Sequence, residues 1–428
     1  MLVVSDFEMT NEILVKQFDH FYARARLGIQ NSSKDGPQTH LVEAKGAHWK
    51  RLRALGSYGF TKKSLRQIQP TVEESAKLVI NELEKHSGQE VNALEYYQEF
   101  TMDVISKVAL GLNDVKMFNN ELLEITKAVF ARPYSSPVMV VPSLFPSSVD
   151  AFKATAQFLG RRRIVKVRFV ELLMELEQRV HARKKQREAG SPSSGDFIDI
   201  FLDAEVDESE VQFGEESSTA RKLALQEVVG NCLIFLLAGF DTTSNSLAYT
   251  THFLANRPEV QEKLRDEIES VFPDEEIDID RLNELKYTEC VIKETLRHYP
   301  LGSVVVTREC TKPTVIKGHR FEVGDLVFTD TWSLHMDKEI WGEDAGEFRP
   351  ERWLDEDSKV PRAAFQAFGE GPRQCIGMRL AYMEEKIALI HLLKNFTIEK
   401  TANTNSMKLV GSMTVSPDRV MVKMEKRR

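Results

Sequence analysis

Cys375 sits in the run Phe368-Gly369-Glu370-Gly371-Pro372-Arg373-Gln374-Cys375-Ile376-Gly377, a glycine-bounded turn that leads directly into a helix-forming segment. A thiolate presented this way has the chemistry of an axial ligand to haem iron, donating electron density that favours O–O cleavage over simple oxygen binding. The glycines at 369, 371 and 377 allow backbone conformations, and a close approach to a flat cofactor, that a side chain would block. A helix starting near Gly377 turns its positive end toward the sulfur. Arg373 is placed within reach of a haem propionate, and Phe368 to shield the sulfur from solvent. A lone cysteine in a glycine loop is ordinarily a small buried hydrophobe; the spacing of Phe, two glycines, Arg, Cys and Gly together points to metal chemistry.

A second chemical cluster is Ala238-Gly239-Phe240-Asp241-Thr242-Thr243 within a long apolar stretch. Glycine inside a helix costs about 1 kcal/mol relative to alanine, so Gly239 needs a reason, and beside a haem that reason is a local widening where oxygen can sit. Thr242 beside Asp241 forms a hydroxyl and carboxylate pair able to relay protons to bound oxygen. The competing reading is a helix bent by Ser/Thr back-bonding. Glu294 and Arg297 lie three apart on one helical face, where a surface ion pair is the ordinary reading.

The elements that must position these residues are mostly helical. Leu2-Val3-Val4 reads as a strand, followed by a helix over 8–21, a loop over 22–48 and a helix from about Trp49. Helical periodicity runs from Leu65 to Arg187, with the basic clusters at 161–163 and 183–185 on a solvated face. Flexible connections at 190–195 and 203–218 flank a short apolar segment and lead into the long helix. Helices follow over 257–272 and 280–299, and beyond Pro300 come short strands, with a hairpin in 315–327 around Gly318-His319. The expected fold is mainly α with small β-sheets, in one domain over residues 1–428.

Composition narrows the function. With 42% hydrophobic and 29% charged residues the chain is of globular type, and a net charge of −8 argues against a nucleic-acid partner. Cys232, Cys290, Cys310 and Cys375 show no paired or metal-knuckle spacing, against both a disulfide framework and a zinc site and in favour of a reducing compartment. No uninterrupted apolar run is long enough to span a bilayer. The sequence opens with no signal region, as if inside a fold.

In order and spacing, FGEGPRQCIG together with the other motifs resembles the cytochrome P-450 superfamily over almost the whole chain, and most closely animal microsomal enzymes of the drug- and steroid-oxidising clan, including nematode relatives. The resemblance implies the P-450 fold, haem b ligated by Cys375, and insertion of one atom of O2 into a lipophilic substrate with electrons from NADPH through a flavin reductase. It implies that the run from Ala238 to Thr243 is the oxygen-binding stretch, with Thr242 and Asp241 managing protons. Phe235, Ala238, Ser303 and Val305 then line the substrate pocket, and Trp49, Arg53 and Arg308 serve the propionates. Arg352, in Phe348-Arg349-Pro350-Glu351-Arg352-Trp353, becomes the third member of a buried structural network with Glu294 and Arg297. Lys50 and Arg51 are expected on the cysteine side, facing an acidic reductase, unless they are simply solvated. The stretch 138–146 is read as an apolar surface dipping into the cytosolic face of the endoplasmic reticulum membrane, with a core loop as the alternative.

The resemblance also implies an anchor helix and further elements ahead of the first residue, so a truncated, inactive haem- or ligand-binding remnant is the rival from outside enzymology. A haem-thiolate isomerase or dehydratase is the rival within it, and Asp241-Thr242 speaks against that because such chemistry has no use for an oxygen proton relay.

Overall fold

The computed structural model describes residues 1–25, 39–112, 116–130, 140–141, 144–205, 222–274, 276–302, 305–355, 360–411 and 413–427. In chain order the elements are β1 (Leu2–Val4), α1 (Phe7–Asn11), α2 (Gly46–Gly56), α3 (Lys62–Glu84), β2 (Glu90–Asn92), α4 (Ala93–Leu110), α5 (Glu121–Phe130), α6 (Val149–Arg161), α7 (Arg168–Glu188) and α8 (Phe197–Leu202). The second half holds α9 (Leu225–Asn256), α10 (Pro258–Val271), α11 (Lys286–His298), β3 (Thr307–Glu309), β4 (Thr314–Ile316), β5 (His319–Phe321), β6 (Leu326–Thr329), α12 (Thr331–His335) and α13 (Lys338–Trp341). It closes with α14 (Met378–Asn395), β7 (Phe396–Glu399), β8 (Leu409–Val410), β9 (Ser416–Pro417) and β10 (Met421–Lys426). The mainly helical expectation holds.

The centre of the molecule is α9, packed against α4, α11, α14 and α7. It is long and apolar enough to cross a membrane by length and composition alone, but most of it is buried within the protein, as a core helix is. Its start is fixed by Glu227, whose carboxylate accepts from the Ala224 N–H at 2.9 Å, the return half of a capping arrangement. Thr61 caps α3 by accepting from the Ser64 N–H at 3.2 Å. The main core runs through α3, α4, α9, α11 and α14. A smaller core of Val4, Ile13, Leu14, Phe21, Val306 and Phe321 lies under the sheet β1-β6-β3, in which β1 pairs parallel to β6.

Several expectations change. The helix over 8–21 is broken, with α1 passing into a π turn at Glu12–Lys16 and a 3-10 turn at Phe18–His20. The helical run from Leu65 is interrupted by β2, which pairs with β10 in the register Val91↔Val422. The expected hairpin is β4-β5, turning at Lys317 and Gly318, both in the left-handed region that such a two-residue turn requires. The connection at 190–195 is held rather than loose: Asp199 accepts from the Ser194 N–H at 2.6 Å and from Arg183 at 3.0 Å. Residues 138–139 and 142–143, and most of the acidic connection at 203–218, lie outside the described residues.

Candidate active site

Residues 366–377 form a compact loop that ends in α14. The Cys375 N–H donates to the Phe368 carbonyl at 2.8 Å, and the Gln374 N–H to the Gly371 carbonyl at 3.0 Å. Gly371 has φ 71°, and a Cβ there would meet the Leu14 carbonyl oxygen at 2.1 Å. The close approach demanding that glycine is therefore to the N-terminal segment of the chain itself. Of the four cysteines, Cys375 alone is exposed. Protein nonetheless surrounds most of its sulfur: burial pushes the thiol up, while the N–H groups of Gly377 and Met378 at the start of α14, together with Arg53 and Arg24, pull it down toward the thiolate. The open side of the sulfur is where a ligand can reach it.

A second opening lies along α9. From Glu227 to Thr251 this helix is buried except at Ile234, Ala238, Gly239 and Thr242. Ile234, Ala238 and Thr242 repeat every four residues and so form one stripe. An exposed alanine in the middle of a core helix marks space inside the protein. The Thr242 hydroxyl donates to the Ala238 carbonyl at 2.7 Å. Gly239 is explained by packing rather than by a widened helix, because a Cβ there would lie 2.7 Å from Ile105 Cδ1 of α4. The same crossing is tied by Thr101, whose hydroxyl donates to the Phe240 carbonyl at 2.8 Å.

Phe235 does not face this space. It is buried in an aromatic cluster, 5.7 Å from Phe60, 5.1 Å from Phe197 and 5.7 Å from Phe201 between ring centroids. Ile234 holds the stripe position instead, and its spacing of four from Ala238 was the available signal. Val305 is exposed, whereas Ser303 lies outside the described residues. Phe368 packs 5.3 Å from Tyr382 of α14. Asp241 is buried; its Oδ2 accepts from Thr414 Oγ1 and from Asn245 Nδ2 at 2.9 Å. Burial raises its pKa to about 6, with the donors Thr414, Asn245 and Ser416 acting in the opposite sense.

Three guanidinium groups converge on the loop. Arg53 donates to the Gln374 carbonyl at 2.8 Å, Arg24 to the Arg373 carbonyl at 3.2 Å, and Arg308 to the Glu370 carbonyl at 3.4 Å as well as to the carbonyl of its neighbour Thr307 at 2.8 Å. All their hydrogen bonds among the described residues go to backbone carbonyls and none to a carboxylate, and Nε of both Arg24 and Arg308 is buried without an acceptor. Burial lowers Arg308 to about 9, with Arg24 adding to the effect, and lowers Arg24 to about 10. Arg308 is buried while Arg24 and Arg53 are half-buried, and charge of one sign withdrawn from water without a counter-charge is costly. A ligand carrying carboxylates supplies the missing acceptors, so these residues fit a haem with its two propionates. Arg24 was missed by sequence reasoning, because nothing local marks it.

Arg373 is engaged differently from the expectation. Its guanidinium donates to the carbonyls of Tyr22 at 2.8 Å, Val42 at 3.4 Å and Ala44 at 2.5 Å, and stacks 4.5 Å from the ring of buried Trp49. The pair fastens α2 and the N-terminal segment to the cysteine loop. Arg51 also departs from the outward position expected of it: it is buried and donates to Glu227 at 2.7 Å, as His48 contacts the same carboxylate at 2.7 Å. Only Lys50 is exposed there.

Beneath the loop lies a closed charge network. Arg297 donates to Glu294 at 2.9 and 2.8 Å, and Arg352 donates to Glu294 at 2.9 Å. The Trp353 indole N–H and the Arg349 backbone N–H each add a bond to Glu294 at 3.0 Å. These donors, Arg297 foremost, hold the Glu294 carboxyl far below the usual range against the opposing effect of burial. Fully buried His335 joins the network, its Nε2 accepting from the Gln366 N–H at 2.8 Å, which leaves Nδ1–H to donate to the Arg297 carbonyl at 3.1 Å. That neutral form agrees with a pKa lowered by burial to about 3.

The comparisons agree with this geometry. The family described as Cytochrome P450 matches residues 1–424. Among Caenorhabditis elegans relatives named as cytochrome P450s, CYP13A10 is 43% identical and CYP13A3 44% identical, each aligned over 100% of this chain and 85% of the relative. The chain belongs to the cytochrome P450 family, haem monooxygenases whose iron is ligated by a cysteine.

Proposed function

We propose that the chain is a single-domain microsomal monooxygenase that inserts one oxygen atom of O2 into a lipophilic substrate, with Cys375 as the iron ligand and electrons arriving from NADPH through a flavin reductase. When bound, the haem supplies the iron that binds and activates O2. The observation that carries the reading is the pairing of an exposed Cys375 with buried Arg308 and half-buried Arg24, each with a buried Nε that has no acceptor. Arg24, Arg53 and Arg308 would hold the propionates of a bound haem, and the Gly377 and Met378 N–H groups would steady the sulfur charge. Ile234, Ala238 and Val305 present apolar surface to substrate and exclude water. Thr242 places a hydroxyl on the same face, and Asp241 behind it, its pKa raised by burial to about 6, can exchange a proton more readily than an ordinary aspartate.

Lys50 on the exposed face of α2 suits an acidic reductase surface. Exposed Leu144, Phe145 and Phe158 suit peripheral contact with the cytosolic face of the endoplasmic reticulum membrane. An inactive remnant is disfavoured because the thiolate loop, the arginines and the Glu294 network are all in place. The test is the absorption spectrum of the purified chain, reduced and exposed to carbon monoxide, beside Cys375→Ser. A strongly red-shifted band that disappears in the variant is expected; absence of haem from the unaltered chain overturns the reading.

A further inference from the structure

Two stripes run side by side along α9. Ile234, Ala238 and Thr242 border the open space, and about 100° around the helix Asp241, Asn245 and Tyr249 repeat with the same spacing of four. All three members of the second stripe hold one short segment, Thr414–Ser416, at the turn that joins β8 to β9. The Thr414 hydroxyl donates to Asp241 Oδ2. Asn245 Nδ2 donates both to that same oxygen and to Ser416 Oγ, each at 2.9 Å. The Tyr249 hydroxyl donates to the Val415 carbonyl at 3.2 Å. From the other side, the Val415 N–H donates to the Leu301 carbonyl at 3.0 Å, in the stretch that leads to exposed Val305. The turn is thus fastened at once to the helix bearing Thr242 and to the segment bearing Val305.

We propose that Asp241 is a positioning residue for substrate selection: its carboxylate latches the Thr414–Ser416 turn to α9, and the latched turn sets the shape of the cavity wall beside Ala238 and Thr242. The inference rests on the functional reading above. It gives Asp241 a role that a proton relay alone does not need, because one oxygen of its carboxylate gathers two donors from different elements. Without that oxygen, both donors are left in a site with little access to water. Ligands affected by the latch are those large enough to touch the wall; a ligand no larger than imidazole is indifferent to it.

The experiment compares the unaltered chain with Asp241→Asn, Asp241→Ala and Thr414→Val. Hydrogen exchange over 409–418 is measured on the haem-free chain, and affinities for imidazole and 4-phenylimidazole by spectral titration of the haem-loaded chain. Asp241→Asn keeps an acceptor oxygen and loses the titrating proton, so exchange and the affinity ratio stay within about twofold. Thr414→Val and Asp241→Ala speed exchange of the segment by about tenfold. They change the ratio of the two affinities by about threefold or more. Unchanged exchange in Thr414→Val, or the same change in Asp241→Asn as in Asp241→Ala, overturns the latch. If the chain takes up no haem, the functional reading fails, while exchange in the haem-free chain still decides the latch. Thr414→Val leaves α9 untouched and keeps the test valid if Asp241→Ala does not fold.

Discussion

Two arginine clusters in this molecule, one around Glu294 and one around Cys375, are built on opposite principles. Around Glu294, the guanidinium groups of Arg297 and Arg352 meet a carboxylate and backbone carbonyls, and the Trp353 indole N–H donates to the same carboxylate, within one closed network. Around Cys375, Arg24, Arg53 and Arg308 meet carbonyls but no carboxylate among the described residues, and two Nε atoms have no acceptor. The first cluster is complete in the folded chain. The second is completed only by something the chain does not contain. Buried charge is tolerated when paired and is otherwise expensive, so the difference separates scaffold from binding site without reference to any motif.

The largest way to break the comparison is Glu294→Ala. It leaves Arg297 and Arg352 buried without a counter-charge and is expected to cost about 3–5 kcal/mol of unfolding free energy, read by chemical denaturation of the haem-free chain. A loss below about 1 kcal/mol would mean that the network is not the lock its geometry suggests.

A smaller effect comes from a third set of buried charges, Glu384 and Glu385 on α14. They face hydroxyl partners on α9, with Ser246 donating to Glu385 at 2.7 Å, and burial raises both carboxyls to about 8. A carboxyl whose folded pKa is raised contributes stability that is complete below its unfolded value near 4.5 and is lost as pH rises through about 8. Stability is therefore expected to fall across that window, and Glu384→Gln with Glu385→Gln to flatten the fall, as seen in thermal midpoints between pH 5 and pH 9. A double variant with the same pH slope as the parent would show that these carboxyls ionise as freely as exposed ones.

How much of this was legible in the sequence follows from how far each contact reaches along the chain. The Cys375 turn and the Glu294–Arg297 pair are local, so their spacing carried them, and the α-rich fold followed from periodicity. Arg24 was invisible because it reaches the loop from roughly the opposite end of the chain, donating to Arg373. The β2-β10 pairing is equally remote, and a strand as short as β2, with three residues, has no periodicity to read. Arg51 and Lys50 were read together although neighbours on a helix point about 100° apart, so one is buried against Glu227 while the other faces solvent. Phe235 was placed on the pocket face, but it lies about 100° around the helix from Ile234, and its ring packs against Phe60 and Phe197. Arg373 looked like a propionate partner from spacing alone, and only the folded chain shows its donors directed to the carbonyls of Tyr22, Val42 and Ala44.

The central claim is that the arginines around Cys375 are held ready for an anionic cofactor at the expense of the empty chain. The direct test is the unfolding free energy of the parent and of the double variant Arg24→Gln, Arg308→Gln, each measured without haem and with haem bound. Without haem the variant should be as stable as the parent or more stable, and with haem it should be less stable by about 1.5–3 kcal/mol, the worth of hydrogen bonds to charged groups. A variant that loses stability in the haem-free chain would contradict the account, because these arginines would then belong to the scaffold like Arg297.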